Sequence, residues 1–149
     1  MVIGRFEIFS LALTELISSW SKIATDEMKT YGLKGSCVIY LIALFKIPEG
    51  LTAAKLCEMC NRDKAEASRT IKALEDKGFV LRTNTTSSGY RANIKLTEKG
   101  MEVTNSLRER IKLAVEKGGR GLTDEQREIF YNALATISEN LKEISKEGL

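Results

Sequence analysis

The sequence contains no histidine, a single proline and three cysteines, and these scarcities exclude several classes of function. Without histidine there is no Ser-His or Cys-His nucleophile pair, and the commonest general acid-base of enzymes is missing. A zinc site would lack most of its usual ligands. The glycines at 118, 119 and 121 are followed by Leu-Thr-Asp-Glu-Gln rather than by Lys-Ser or Lys-Thr, so they do not form a phosphate loop. We therefore expect no enzyme, no metal site and no cofactor.

The cysteines do not predict a disulfide framework, because an odd number occurs in a chain without an export signal. Cys57 and Cys60 form a lone C-x-x-C motif, which is typical of half a zinc site or of a redox pair. With no second motif, buried small apolar residues on a helix are the favoured interpretation, and Cys37 is interpreted in the same way.

Long apolar runs are also absent. The longest, from Val38 to Phe45, is far shorter than the roughly 18 residues that span a bilayer, and it indicates a buried helix. The N-terminal stretch carries Glu7 and hydroxyl groups within its apolar face, unlike a signal peptide. The sequence therefore predicts a cytoplasmic protein with no membrane partner.

The formal net charge is +3, but the basic excess is concentrated in one region. Between Lys77 and Lys95 there are four basic residues and no acidic one, whereas residues 120 to 149 contain six acidic and four basic residues. A local basic surface favours a polyanionic partner, although a solvated basic loop is an equally simple explanation.

The two ends of the chain are predicted to be long amphipathic helices. Over residues 5–31 apolar side chains recur at three- and four-residue spacing, and the helices predicted after residue 97 and after Thr123 also carry one apolar stripe each. A stripe of this length needs a partner, so we predict a dimerisation layer formed by residues 1–32 and 101–149. Packing of the three striped helices within one chain is the alternative.

The region between these ends, residues 33–100, predicts a compact helical lobe. A helix over Leu33–Lys46 is followed by a third helix that Thr52 caps, a turn at Asn61 and Arg62, and a fourth helix that opens at Asp63. Glu66 is expected to complete a capping box there. Gly78 ends the fourth helix, and two strands around 79–81 and 92–96 form a hairpin with a polar tip. This order is that of a winged helix-turn-helix, and the predicted fold class is mainly α with a small β-hairpin wing.

One face of the fourth helix has the composition expected of a helix in the DNA major groove. Small residues allow the backbone to approach, while hydroxyl and cationic groups reach base edges and phosphates. The predicted residues are Lys64, Ala65, Ser68, Arg69 and Lys72. The hairpin is predicted to contact phosphates or the minor groove through Arg82, Ser87, Ser88 and Arg91. An ordinary amphipathic helix with a solvated face would have a similar composition.

The sequence resembles the MarR family of bacterial winged-helix regulators. The resemblance covers nearly the whole chain and is carried by LTAAKLCEMCNRDKAEASRTIKALEDKGFVLR, the hairpin and IKLTEKG. The family's Leu-Ala, Thr-Arg, Leu-Glu-x-x-Gly-hydrophobic-hydrophobic-x-Arg and Leu-Thr-x-x-Gly positions are held here by Leu56-Cys57, Ser68-Arg69, Leu74 to Arg82 and Leu96 to Gly100.

This resemblance implies a homodimer that binds a pseudo-palindromic operator on double-stranded DNA and regulates transcription, as a repressor released by a small ligand. It places Thr52 near a phosphate and Arg91 as the wing arginine. The family wing usually reads Asp-x-Arg, whereas Gly89 stands at the acidic position here. The departure motivates an alternative, a winged-helix module that binds protein instead of a specific DNA sequence.

The resemblance also implies a cleft for a small aromatic or anionic effector between the DNA-binding lobe and the dimerisation helices. The candidate lining residues are Trp20, Tyr31, Tyr40 and Phe45. Aromatic residues on apolar stripes are more commonly core residues, so this prediction competes with a purely structural role.

Overall fold

A computed structural model describes residues 2–84 and 92–149, the side chains of residues 2, 3 and 84 excepted. It contains six helices and three strands within these ranges. The helices are α1 (Val2–Lys29), α2 (Cys37–Lys46), α3 (Ala53–Met59), α4 (Lys64–Asp76), α5 (Glu98–Gly118) and α6 (Asp124–Glu147). The strands are β1 (Leu51–Thr52), β2 (Val80–Asn84) and β3 (Ala92–Leu96). The predicted fold class, mainly α with a small β wing, is confirmed. The predicted wing residues Ser87, Ser88 and Arg91 lie outside the described residues.

The connection between α1 and α2 is longer than predicted. The first helix ends at Lys29 rather than at residue 31, since Tyr31 and Gly32 close a tight turn onto the carbonyls of Met28 and Lys29. Gly32 has a φ of +67°, the left-handed conformation that glycine adopts without strain. The second helix begins at Cys37 rather than at Leu33, because a further turn occupies the intervening residues.

The sheet has three strands rather than the predicted two, in the order β1-β3-β2, and both pairs are antiparallel. In β1, Leu51 pairs with Ile94 and Thr52 with Asn93. A strand of two residues is too short to show an alternating pattern, so only the pairing reveals it. Gly50 permits this pairing, because a Cβ there would approach the carbonyl oxygen of Ile94 to 2.8 Å.

The core of the lobe is formed by α2, α3, α4 and the sheet. Its fully buried large side chains include Tyr40, Leu41, Leu44, Leu56, Ile71, Leu74, Phe79 and Ile94. In α3, Leu56 is buried, whereas Ala53 and Met59 are exposed. Cys60, which follows the end of this short helix, is buried as well.

The wing is fixed to α5 at Thr97 and Gly100. The Thr97 hydroxyl donates to the carbonyl oxygen of Gly78 at 2.6 Å and accepts from the Gly100 amide at 3.0 Å, so it caps α5. A Cβ on Gly100 would overlap the carbonyl oxygen of Phe79. The Leu-Thr-x-x-Gly pattern is thus explained by a cap and by a close approach of two backbone segments.

The chain forms two compact units, residues 1–109 and residues 110–149, and α5 crosses their boundary. In the second unit Thr123 caps α6 through a complete capping box with Gln126. No residue of α6 is buried. In the part of the chain that the structure describes, none of the helices combines the length and apolarity needed to cross a membrane.

Candidate nucleic-acid interface

The helix-turn-helix is built from two local caps and one strained residue. The Thr52 side chain accepts from the Lys55 amide at the start of α3, and the Asp63 side chain accepts from the Glu66 amide at the start of α4. Between them Asn61 adopts a φ of +49°, a left-handed conformation that asparagine tolerates better than most residues. The turn that the sequence predicts at Asn61 and Arg62 is confirmed.

The amphipathic helix α4 has one face buried against the lobe and one face exposed to solvent. Ala67, Thr70, Ile71 and Leu74 are buried against the lobe. The side chains predicted to face DNA are all exposed, namely Lys64, Ala65, Ser68, Arg69 and Lys72. The structure therefore brings the five residues together on one solvent-facing surface, which we call the α4 outer face.

The cations near the outer face differ in how they are paired. Lys72 lies 3.0 Å from an Asp76 carboxylate oxygen, and Arg82 donates through Nε to Glu75 at 2.6 Å. Neither Lys64 nor Arg69 forms an ion pair with another described residue. Lys64 and Arg69 thus offer the positive charge that is most available for a polyanion, since the charges of Lys72 and Arg82 are partly neutralised within the lobe.

Glu66 does not complete the predicted capping box. Its carboxylate turns inward, where Oε2 accepts from the Tyr40 hydroxyl at 2.6 Å and Oε1 accepts from the Thr70 hydroxyl at 3.0 Å. The Tyr40 side chain is fully buried, and burial together with this hydrogen bond raises the pKa of its phenol. A buried phenol needs a hydrogen-bond partner, which explains why the carboxylate is drawn away from the helix terminus.

A cavity of about 330 Å³ lies beside α4 and adds two cations that sequence reasoning missed. Lys34 and Lys77 line it together with Arg69. Lys77 is exposed and follows the last residue of α4. Lys34 lies in the connection between α1 and α2, outside any helix or strand, so no periodic sequence pattern could have indicated its place at the cavity.

The four aromatic residues predicted to line an effector cleft are not brought together. Trp20 lines a groove of about 400 Å³ with Thr25, Ile39 and Arg62 among its neighbours. Tyr40 is buried against Glu66, and Tyr31 packs edge-on against Phe79. Phe45 lies under the guanidinium of Arg108, 4.3 Å from its ring centroid. The groove therefore contains only Trp20 of the four.

All three cysteines are free thiols, and none of them is exposed. Cys37 and Cys60 are buried, and Cys57 is half-buried with its thiol donating to the carbonyl oxygen of Arg62 at 3.0 Å. Burial raises the pKa of Cys60 to about 11, so its thiol stays protonated at neutral pH and is a weak nucleophile. Among the described residues, no group of three or more Cys, Asp or Glu side chains is placed to hold a metal ion.

Comparisons with known proteins agree with this geometry. The family model described as "MarR family" matches residues 44–89, from the end of α2 into the wing. An HTH-type transcriptional regulator of Bacillus subtilis, YybA, is 29% identical over 80% of this chain and 79% of its own length.

Solved structures show the same fold. A MarR transcriptional regulator from Methanosarcina mazei superposes with a TM-score of 0.83 at 23% identity, covering 93% of this chain and 92% of that one. A MarR family regulator from Listeria monocytogenes, solved in complex with a 26mer DNA, gives a TM-score of 0.80 at 23% identity, covering 92% and 93%. The predicted resemblance to the MarR family of transcriptional regulators, which are DNA-binding proteins and not enzymes, is therefore confirmed by the family model, the relatives and the fold.

Proposed function

We propose that this protein is a homodimeric transcriptional repressor that binds a pseudo-palindromic operator through α4 and leaves it when a small ligand binds. The observation that carries the proposal is the α4 outer face. It combines the exposed cations Lys64 and Arg69, which form no ion pair with another described residue, with the short side chains of Ala65 and Ser68. This is the combination that lets a helix backbone approach base edges while guanidinium and ammonium groups meet guanines and phosphates.

Within this proposal the DNA contacts have different roles. Arg69 and Ser68 read bases, whereas Lys64 and Lys72 contact phosphates, and Thr52 lies near a phosphate at the start of α3. Arg82 contributes less, because Glu75 already pairs with it. Ser87, Ser88 and Arg91 are proposed as wing contacts from the sequence alone. The Listeria relative was solved in complex with a 26mer DNA, which supports DNA as the partner proposed here.

The dimer rests on the uncovered apolar stripes of the terminal helices. In α1, Leu16, Ile17 and Trp20 are exposed, and in α6 so are Phe130, Ile137 and Leu141. Stripes of this size are costly in water and indicate a protein partner. We propose a second copy of the chain, with residues 1–32 and 101–149 as dimerisation helices and residues 33–100 as the DNA-binding lobe. Two copies of α4 would then meet successive major grooves about one helical turn apart.

The Trp20 groove is the proposed effector site. An indole ring, the Arg62 guanidinium and nearby hydroxyls, including that of Thr25, would suit a small aromatic or anionic molecule. The groove has α2 as one wall, through Val38 and Ile39. A ligand that moves α2 would therefore act on the helix against which α4 packs.

The experiment that tests the function is selection of duplexes from a random pool by the purified protein at low and high salt. We expect recovery of a two-fold symmetric sequence whose affinity falls steeply as salt rises, because several phosphates are neutralised on binding. Recovery of no ordered sequence by a well-folded protein would contradict the proposal and favour a winged-helix module that binds another protein.

A further inference from the structure

A hydrogen bond between Tyr40 and Glu66 joins α2 to the first turn of α4. The phenol oxygen and Oε2 are 2.6 Å apart, and the Tyr40 side chain has no exposed surface. The second carboxylate oxygen is held by Thr70, one turn further along α4. Both oxygens of Glu66 are therefore engaged, and a hydrogen bond to a carboxylate is shorter and stronger than one between neutral groups.

Among the described residues, this is the side-chain hydrogen bond that joins α2 to α4, and it adds a directional contact to their packing. The other inward side chains of α4 include Ala67, Ile71 and Leu74, whose burial stabilises contact without fixing the rotation of the helix. A bond between a rigid phenol and a carboxylate has a preferred distance and angle. It restricts rotation and sliding of α4 relative to α2.

The position of Glu66 makes that restriction relevant to DNA. Ala65 precedes it on the α4 outer face, and Ser68 and Arg69 follow within one helical turn. Since each residue turns the helix by about 100°, a small rotation around Glu66 displaces these side chains from base edges. Contacts to phosphates tolerate such displacement better, because they depend on charge rather than on alignment with a base.

We propose that Tyr40 and Glu66 act as a positioning pair that sets the orientation of α4 for base readout, so that the pair determines operator specificity without touching DNA. The inference rests on the proposed function, because it assumes that α4 reads an operator. It goes beyond that function in assigning specificity to two residues on the inner side of the helix. The pair also links the recognition helix to α2, which forms a wall of the Trp20 groove.

The test compares the affinities of wild type and the Tyr40→Phe variant for the selected operator and for a scrambled duplex of equal length. The substitution removes one oxygen atom and keeps the aromatic ring. We expect operator affinity to fall about tenfold while affinity for the scrambled duplex is unchanged, because non-specific binding depends on cations that the substitution leaves in place.

Three further variants separate positioning from a general loss of structure. Glu49→Gln is the matched control for the change at Glu66, since it removes the charge of an exposed carboxylate of the lobe, and it should leave the ratio of operator to scrambled affinity unchanged. Glu66→Gln keeps an acceptor but removes the charge, so we expect an intermediate loss of specificity. In the double variant with Tyr40→Phe the losses should not add, because both substitutions break the same interaction.

Circular dichroism of each variant establishes that it is folded at the assay temperature, and Glu66→Gln decides the question if Tyr40→Phe is not folded. An unchanged ratio of operator to scrambled affinity in the folded variants would overturn the positioning role. So would an equal fall in both affinities. If wild type itself prefers no duplex, the proposed function fails first, and the two failures are thereby distinguished.

Discussion

Arg82 on β2 donates through Nε to Oε2 of Glu75 on α4, with 2.6 Å between the two atoms. The two side chains are 42% and 38% exposed, so the pair lies at the surface of the lobe and connects the wing to the helix. The pair partly neutralises the charge of Arg82, which is one of the proposed DNA contacts. It also distinguishes Arg82 from Arg69, which has no such partner among the described residues.

We therefore expect Glu75→Gln to raise the affinity for any duplex by about two- to fivefold, because it releases the Arg82 charge. Arg82→Ala should lower operator affinity less than Arg69→Ala does. Fluorescence anisotropy with operator and scrambled duplexes checks both expectations. Glu139→Gln on α6 is the control for the loss of one exposed carboxylate. Equal affinities of wild type and Glu75→Gln would show that the pair does not withhold charge from DNA.

Arg69→Ala is expected to cost about 1–3 kcal/mol of operator binding and to relax selectivity at one base pair of each half-site, as for an arginine that reads a base. Competition binding against duplexes with single base changes measures both effects. Arg120→Ala removes one exposed arginine outside the lobe and serves as the control. If Arg69→Ala binds every duplex as wild type does, Arg69 is not part of the interface.

Lys64 and Lys72 should differ in their contribution to the salt dependence of binding. Lys64→Ala is expected to reduce the slope of log affinity against log salt by about two per dimer, since each protomer loses one phosphate contact. Lys72→Ala should reduce it less, because Asp76 already lies 3.0 Å from the ammonium group. Titrations at four salt concentrations give the slopes. Equal slopes for the two variants would contradict the role assigned to the Lys72–Asp76 pair.

Gly100→Ala is expected to destabilise the fold by about 1–3 kcal/mol, because the added methyl group would overlap the carbonyl oxygen of Phe79 and force the wing and α5 apart. Gly118→Ala is the matched control on the same helix. Nothing lies within 4 Å of a Cβ at Gly118, so alanine there should be neutral or slightly stabilising. Urea unfolding followed by circular dichroism compares the two. Equal stabilities would show that the backbone approach at Gly100 is easily relieved.

Ile137→Asp on α6 is expected to convert a dimer into a monomer, because it places a charge in the exposed apolar stripe. Operator affinity should fall by about 100-fold or more, since the second half-site would no longer be bound as part of one molecule. Sedimentation velocity gives the mass. Asn140→Asp adds the same charge to an exposed polar position of the helix and should leave the dimer intact. A monomeric wild type would contradict the dimer proposal directly.

The sequence by itself determined the features that depend on neighbouring residues. The caps at Thr52, Asp63, Thr97 and Thr123 and the helix stop at Gly78 form hydrogen bonds within a few residues or depend on one φ angle. The stripe of α4 likewise follows from its 3.6-residue period, which is why its outer face was predicted residue by residue. These local rules were sufficient for the winged helix-turn-helix and for the resemblance to the MarR family.

Only the tertiary structure decided which polar groups are available and which are already engaged. Tyr40 meets Glu66 across 26 positions of sequence, and two-residue β1 is a strand only because Ile94 and Asn93 lie beside it. Arg82 is paired by Glu75, while Lys34 joins Arg69 at a cavity. Hydrogen bonds and ion pairs between distant segments depend on how the backbone packs. Such contacts produce no periodic pattern or fixed spacing in the sequence, so they could not be predicted from it. Residue type determines which interactions a side chain can make. The fold determines which of its polar groups are already paired within the protein.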